Sequence, residues 1–179
     1  SNIYDVRKQF HFLISTSAWK LYRKNKIDVY GIKQIINSLN NLVSSGYSIG
    51  LIMVIPIIED TECFEELTKE IEQFNLRQNI LIISEPIPNA FEIWKLSDVY
   101  VRATNTDIEG LTIKEALYYN TPVVASDIVI RPAEVILYKY NSVDDMTLKI
   151  VKALSSDING YSIQEEKTCA EILSIYKTV

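Results

Sequence analysis

The chain has 179 residues, of which 47% are hydrophobic and 23% are charged, a composition typical of one soluble globular domain with at most a small appendage. Its formal net charge of −5 excludes nucleic acid and anionic membranes as electrostatic partners of the chain as a whole. No apolar run is long enough to cross a bilayer, so we expect no transmembrane segment.

The chain begins with Ser1 and Asn2 rather than with methionine, which suggests the remnant of a tag. We therefore expect residues 1–10 to be a tag remnant or linker, and the chain to be one domain cut from a longer protein. Residues 11–160 are expected to form that domain, and residues 161–179 are expected to form a C-terminal helix.

Six short apolar runs follow in chain order, and each is continuous rather than alternating. Continuous runs of this length are typical of strands that are buried on both faces of a parallel sheet. The runs are Phe12–Ile14, Leu51–Ile55, Ile80–Ile83, Val99–Val101, Pro122–Ala125 and Val135–Tyr138.

Helical patterns separate these runs. In the first of them, apolar residues recur at helical spacing from Ile32 to Val43, and Gly46 supplies a C-terminal stop. The alternation of strands and helices predicts an α/β fold: a Rossmann-like, doubly wound, mainly parallel sheet of about six strands with helices on both faces. Such sheets bind ligands beyond the carboxyl ends of their strands, near the point where the strand order reverses.

Several familiar sites are missing from the sequence. It has no GxGxxG fingerprint, no P-loop and no GxSxG motif, which argues against a dinucleotide site, an NTPase loop and a serine hydrolase. His11 is the only histidine, and Cys63 and Cys169 stand far apart. We therefore expect no metal site, and two free thiols in a reducing compartment.

The segment from Arg102 to Glu115 carries the main candidate site. Arg102 follows the fourth apolar run at the carboxyl edge of the sheet, and a helix should begin at Gly110 or Leu111. The first amides of that helix, at Leu111 and Thr112, have no acceptor within the helix and form a ready anion site. The glycine allows a phosphate to approach them closely.

Three carboxylates surround this helix start. Glu115 lies one turn inside the helix, where it can accept two hydrogen bonds from a ribose diol. The alternative interpretation is that Asp107 and Glu109 cap the helix and that Glu115 is solvated. The residues alone leave both interpretations open.

Basic residues cluster in the loop after the first apolar run. Lys20, Arg23 and Lys24 are candidates to neutralise a diphosphate at the carboxyl edge of the sheet, and the alternative is an ordinary solvated loop. Arg131, in the loop after the fifth run, is a further candidate anion contact, although an Arg-Pro pair more often fixes a turn.

The stretch DIEGLTIKEALYYNTPVVASD resembles the signature of group 1 (family 4) retaining glycosyltransferases, which have the GT-B fold. That signature is an acidic residue, seven further residues, Glu-Ala-(Leu or Met), a short loop and then Pro-Val-Val-Ala-Ser. Asp107 and Glu115 stand at its two acidic positions, with Asp107 in place of the commoner glutamate. A narrower similarity, to bacterial capsular and surface-polysaccharide transferases, runs from Arg102 to Arg131 and Pro132.

The resemblance implies that the chain is the C-terminal, nucleotide-sugar-binding half of a GT-B enzyme. It implies that Glu115 binds the donor ribose, that amides of Gly110–Thr112 hold the distal phosphate, and that Asp107 faces the sugar. The loop Pro86–Asn89 would contact the base, largely through backbone atoms.

The sequence departs from the family in its positive charge. Tyr30 stands where the family has a lysine, and the family's Gly-Arg pair after the first strand is missing. Neutralisation of the diphosphate would then fall to Lys20, Arg23, Lys24 or Arg102.

The implied activity is transfer of a sugar from a UDP- or GDP-linked donor to a glycan or lipid-linked glycan in bacterial surface polysaccharide synthesis, without a cofactor. We expect it in the cytoplasm, or at the inner face of the membrane through a missing N-terminal domain that holds the acceptor. We expect this half alone to be inactive. A second interpretation is a non-catalytic α/β binding or assembly module whose donor site has decayed. A dehydrogenase is a weaker third, because GxGxxG is absent.

Overall fold

The computed structural model describes residues 2–85, 87, 89–106 and 110–155. Its strands are β1 (Phe12–Ser17), β2 (Arg23–Lys24), β3 (Ile27–Asp28), β4 (Ile49–Val54), β5 (Ile80–Ile83), β6 (Val99–Arg102), β7 (Val123–Ser126) and β8 (Ile136–Tyr138). Its helices are α1 (Ile3–Gln9), α2 (Ile32–Ser44), α3 (Thr61–Gln73), α4 (Phe91–Leu96), α5 (Leu111–Tyr118) and α6 (Val143–Ser155).

Six strands form one parallel sheet in the order β5-β4-β1-β6-β7-β8. From β1 the chain adds β4 and β5 on one side, and it then crosses over to add β6, β7 and β8 on the other. The strand order therefore reverses between β1 and β6, as in doubly wound Rossmann folds, and the carboxyl ends of these two strands flank the crevice where such sheets bind ligands. The predicted fold class is confirmed, because each of the six apolar runs is a strand of this sheet.

Buried side chains form two hydrophobic clusters, one on each face of the sheet. Helices α2, α3 and α6 cover one cluster, and helices α1, α4 and α5 cover the other. Successive residues of β1 contribute to opposite clusters, Ile14 to the first and Leu13 to the second, because side chains alternate across a strand. The predicted helices on both faces are therefore confirmed.

The first ten residues, expected to be a tag remnant or linker, contain helix α1. The Asn2 side chain caps this helix in a capping box with Asp5, and Val6 is buried against the sheet. Arg7 forms a salt bridge of 3.0 Å with Asp98, which anchors the helix next to β6. The capping box, the buried Val6 side chain and the Arg7–Asp98 ion pair together hold this seven-residue helix in place.

Strands β2 and β3 form a small antiparallel hairpin outside the main sheet. Asn25 and Lys26 at its turn have φ values of 52° and 65°, as a two-residue hairpin turn requires. The Asp28 carboxylate that follows accepts hydrogen bonds from the amides of Tyr30 and Lys33, at 3.0 and 3.1 Å. These bonds fix the start of α2, and burial raises the pKa of Asp28.

The expected C-terminal helix at 161–179 lies outside the described residues. None of the helices in the described part of the chain is long and apolar enough to span a membrane.

Candidate functional site

A cavity of about 560 Å³ opens at the point where the strand order reverses. We call it the switch-point cavity, because it lies beyond the carboxyl ends of β1, β4 and β6, where the topology places a ligand. It is lined by Ser17, Ala18, Trp19, Tyr30, Val54, Pro56, Ala90, Trp94, Arg102, Gly110, Leu111, Thr112 and Glu115. Five of the predicted donor-binding residues therefore meet in one cavity: Arg102, Gly110, Leu111, Thr112 and Glu115.

Helix α5 presents its N-terminus to this cavity. Gly110, the N-cap residue, has φ 65° and ψ 69°, a left-handed conformation that glycine adopts without strain and that other residues avoid. It brings no capping side chain of its own. The amides of Leu111 and Thr112 have no acceptor within the helix, and the positive end of the helix dipole lies beside them. The predicted helix start is confirmed.

Glu115 lines the same cavity one turn further along α5. Its Oε2 atom accepts a hydrogen bond of 3.2 Å from the indole Nε1 of Trp94 on α4. Trp94 is 1% exposed and lies at the inner wall of the cavity. The indole thus holds one oxygen of the carboxylate, while the rest of the Glu115 side chain is exposed. Both interpretations of Glu115, ribose ligand and solvated carboxylate, are compatible with this geometry.

Hydroxyl groups connect the floor of the cavity. Tyr100, fully buried on β6, donates its phenol hydrogen to Thr112 Oγ1 at 2.7 Å. The Ser17 hydroxyl lies 2.9 Å from the same phenol oxygen. Since a phenol has one hydrogen, the Ser17 hydroxyl donates in this arrangement. The hydrogen of the Thr112 hydroxyl is then available to a ligand.

Arg102 brings positive charge to the cavity. Its Nη1 atom donates to the carbonyl oxygen of Ser17 at 3.1 Å, and its guanidinium carbon lies 5.2 Å from the centre of the Tyr30 ring. These contacts hold the guanidinium between the carboxyl ends of β1 and β6. Among the described residues that line the cavity, Arg102 is the one cation.

Lys20 and Arg23, two of the expected diphosphate contacts, lie elsewhere. Lys20 Nζ is 2.6 Å from Glu59, whose hydrogen bond raises the pKa of the lysine. Arg23 forms ion pairs of 2.7 Å with Asp60 and 2.8 Å with Glu62, and it lowers the pKa of Asp60. Neither cation lines the switch-point cavity. The structure differs from the expectation because the carboxylates at the start of α3 compete for these side chains.

Lys24 and Arg131 are also not among the residues that line the cavity. Lys24 is exposed on the hairpin strand β2, and Arg131 lies in the connection between β7 and β8. Two further predicted residues, Asp107 and Glu109, lie outside the described residues. Within the described part of the chain, no group of histidine, cysteine and acidic side chains is arranged to hold a metal ion.

A second cavity, of about 530 Å³, shares Ala90 and Glu115 with the first. Ile87 and the aromatic rings of Phe91 and Tyr119 line it, and the two rings stack with centroids 5.8 Å apart. The loop Pro86–Asn89, expected to contact the base, thus reaches this second cavity through Ile87.

Trp94 and Tyr100 are the site residues that sequence reasoning missed. Both belong to buried apolar segments, where an aromatic residue is expected to be core. Their rings meet edge to face, with centroids 4.8 Å apart. The available signal was chemical: a buried indole N–H or phenol usually has a hydrogen-bond partner, and the polar residues of α5 lie near enough to be that partner.

Neither protein-family models nor curated protein sequences match the chain. Solved structures do. The chain is similar to an α,α-trehalose-phosphate synthase (UDP-forming) from Burkholderia vietnamiensis, with a TM-score of 0.73 at 13% identity, over 96% of this chain and 43% of that one. It is similar to a point mutant of TarM from S. aureus, solved with fondaparinux, α-GlcNAc-glycerol and UDP, with a TM-score of 0.69 at 18% identity, over 93% of this chain and 36% of that one.

A third similar structure is the C-terminal domain of LpcC, a group 1 family glycosyl transferase from Francisella tularensis. The TM-score is 0.68 at 17% identity, and the match covers 87% of this chain and 84% of that domain. The chain thus spans about two fifths of the synthases, 39% and 43% in two of them, and nearly all of an isolated C-terminal domain. The chain shares its Rossmann-like fold with these structures.

Proposed function

We propose that this chain is the donor-binding domain of a retaining glycosyltransferase that uses a nucleotide-diphosphate sugar. The observation that carries the proposal is the pairing of Glu115 with the N-terminus of α5 in one cavity. A carboxylate suits a ribose diol, and unpaired helix amides suit a phosphate. Both groups lie at the switch point, where doubly wound sheets bind nucleotides.

The spacing of these two groups fits one donor molecule. Four residues of α-helix separate Leu111 from Glu115, a rise of about 6 Å. One phosphate and its bridging oxygens separate a ribose from the distal phosphate of a nucleoside diphosphate, which is a similar length. The ribose would bind Glu115, and the distal phosphate would bind the amides of Leu111 and Thr112.

Charge stabilisation is the chemistry that such a site can supply. When the bond to the sugar breaks, negative charge develops on the departing diphosphate. The helix amides, the Thr112 hydroxyl and the Arg102 guanidinium are held in place before the reaction, so they would stabilise that charge without reorganising. Asp107 would face the sugar hydroxyls, as the sequence resemblance implies.

The sequence resemblance also suggests an acceptor for the parent enzyme. The parent enzyme would extend a glycan or lipid-linked glycan in bacterial surface polysaccharide synthesis, in the cytoplasm or at the inner face of the membrane. Acceptor binding would belong to a second domain, so we expect the present chain alone to bind donor and to transfer no sugar.

One observation favours a second candidate, a non-catalytic binding or assembly module with a decayed donor site. The described lining of the switch-point cavity holds one cation, Arg102, and Tyr30 occupies the position of the family's lysine. A site that has lost part of its positive charge would bind a diphosphate weakly or not at all.

Calorimetric titration with UDP, GDP and ADP, and with UDP- and GDP-linked sugars, separates the two candidates. The donor domain predicts binding of one nucleotide at millimolar concentration or tighter. Glu115→Ala should weaken that binding by about 1–3 kcal/mol, whereas Glu72→Ala, at an exposed carboxylate of α3, should leave it unchanged. If no nucleotide binds, the donor-site proposal is wrong and the decayed module is favoured.

A further inference from the structure

A buried indole lies beneath the carboxylate that we assign to the ribose. We infer that Trp94 is a positioning residue, which fixes the orientation of the Glu115 carboxylate and thereby lets the site distinguish a ribonucleotide from a deoxyribonucleotide. This inference rests on the proposed function and deepens it, because it names the residue that positions the ribose-binding carboxylate.

The contact is specific in geometry. Trp94 Nε1 donates to Glu115 Oε2 at 3.2 Å, and the Glu115 side chain is otherwise exposed. An exposed glutamate samples several rotamers, and fixing it in one of them when a ligand binds costs conformational entropy. The indole reduces that cost, because it holds the carboxylate before the ligand arrives.

The indole is itself held rigidly. Its ring meets the edge of the Tyr100 ring, with centroids 4.8 Å apart. The backbone carbonyl of Trp94 accepts a hydrogen bond of 2.6 Å from the hydroxyl of Thr121. The side chain is 1% exposed, so it cannot turn its N–H group towards solvent. The rigid indole N–H of Trp94 therefore fixes the exposed carboxylate of Glu115.

The hydrogen-bond acceptor sites that the indole leaves unused on the Glu115 carboxylate suit a diol. One lone pair of Oε2 is used by the indole, and the remaining lone pairs of Oε2 and Oε1 can accept from two neighbouring hydroxyls. An ionised carboxylate accepts hydrogen bonds more strongly than a neutral acceptor does. Loss of either ribose hydroxyl should then weaken binding measurably.

The test compares UDP with 2′-deoxy-UDP, or GDP with 2′-deoxy-GDP, whichever nucleotide the chain binds. For the unmodified protein we expect the ribonucleotide to bind about tenfold tighter or more. Trp94→Phe keeps an aromatic ring and removes the N–H donor, and we expect the preference to fall to about threefold or less. Affinity for the deoxynucleotide, which keeps only the 3′-hydroxyl contact, should fall less than affinity for the ribonucleotide.

A control variant separates positioning from general damage. Ile93→Val trims the neighbouring buried residue of α4 and leaves the indole in place. It should lower the unfolding temperature, as Trp94→Phe should, and keep the full preference for the ribonucleotide. If Trp94→Phe keeps that preference, or if the unmodified protein binds a nucleotide without any preference, the inference is overturned while nucleotide binding itself stands.

The indole N–H resonance provides a second measurement, which does not require Trp94→Phe to fold. The chain has two tryptophans, so Trp19→Phe assigns the two indole signals. Glu115→Gln should shift the Trp94 signal and speed its hydrogen exchange, and 2′-deoxynucleotide should perturb it less than ribonucleotide. A Trp94 signal that is unchanged by Glu115→Gln would overturn the inference. Failure of any nucleotide to bind would instead overturn the proposed function.

Discussion

The phenol of Tyr100 donates to the hydroxyl of Thr112 across 2.7 Å, and it thereby joins the central strand β6 to the first turn of α5. Tyr100 is fully buried, and the Ser17 hydroxyl on β1 lies 2.9 Å from the same oxygen. This chain of hydroxyls ends at the N-terminus of α5, where we propose that the diphosphate binds.

Replacing Tyr100 with phenylalanine tests that chain. Loss of the phenol oxygen leaves the Ser17 and Thr112 hydroxyls without this partner, which should destabilise the fold by about 1 kcal/mol. It should also weaken the binding of a nucleoside diphosphate more than that of the corresponding monophosphate, because we place Thr112 at the distal phosphate. Urea unfolding and paired titrations with UDP and UMP, or with GDP and GMP, measure these effects.

Tyr47→Phe is the matched control, since the Tyr47 ring packs beside Phe12 and is not among the residues that line the switch-point cavity. It should leave both affinities unchanged. Equal weakening of monophosphate and diphosphate by Tyr100→Phe would contradict the placement of Thr112 at the distal phosphate.

The source of positive charge is the second prediction. Arg102 lines the cavity, whereas Arg23 lies outside it, in ion pairs with Asp60, Glu62 and Glu66. Arg102→Gln should therefore weaken the binding of a nucleoside diphosphate by about 1.5–3 kcal/mol, as expected for a hydrogen bond to a charged group. Arg23→Gln should leave the affinity within about twofold, a change of less than about 0.5 kcal/mol, while it lowers stability.

Salt dependence checks the same assignment. The affinity of the unmodified protein and of Arg23→Gln should fall as salt screens the charge, and that of Arg102→Gln should fall less. If Arg23→Gln weakens diphosphate binding as much as Arg102→Gln does, the hairpin loop contributes charge to the site. Arg23 would then leave its ion pairs when the ligand binds.

The sequence predicts the sheet well because its signal is local. A strand buried on both faces must be apolar at every position, so the six apolar runs mark the strands directly. The start of α5 is predicted for a similar reason, since Gly110 supplies the left-handed conformation that the turn into the helix adopts. Both features depend on neighbouring residues in the chain.

The partners of long polar side chains could not be predicted in this way. Lys20 and Arg23 follow β1 in sequence, but their partners lie far along the chain and are brought near only by the fold. These partners are Glu59 for Lys20, and Asp60, Glu62 and Glu66 for Arg23. Trp94 and Glu115 are likewise joined by the packing of α4 against α5. Such contacts depend on tertiary geometry, which periodicity does not encode.

Glycine substitutions provide a third prediction, on stability. Gly31 has φ 64°, and an added Cβ would lie 2.4 Å from the carbonyl oxygen of Ala103. Gly46 also has positive φ, at 88°, but an added Cβ would meet no atom within 4 Å. Gly46→Ala should cost about 1–2 kcal/mol from backbone strain alone, and Gly31→Ala should cost about 1–3 kcal/mol more from the clash.

Urea unfolding of the two variants measures this difference. Gly31 precedes α2, and Ala103 follows Arg102 at the cavity, so relaxation of the clash would move the wall of the site. Gly31→Ala should therefore weaken nucleotide binding as well, and Gly46→Ala should not. Equal stability of the two variants would show that the approach of Gly31 to Ala103 is not rigid.

The thiol of Cys63 gives the last prediction, a dependence of stability on pH. Cys63 is 3% exposed, and burial raises its pKa to about 11. In the unfolded chain a cysteine ionises near pH ~8.5. Between these values the unfolded state loses a proton that the folded state keeps, so the free energy of unfolding falls as pH rises, by up to about 1.4 kcal/mol per pH unit.

Cys63→Ala removes this titration, and both proteins should carry Cys169→Ser so that a single thiol is compared. Between about pH 7.5 and 9.5 the cysteine protein should lose about 1 kcal/mol more stability in urea unfolding than the alanine variant. Tyrosines and lysines titrate in both proteins and cancel in the difference. Identical pH dependence in the two would mean that the folded Cys63 thiol ionises as easily as an exposed one, and a thiol reagent should then modify it in the native protein.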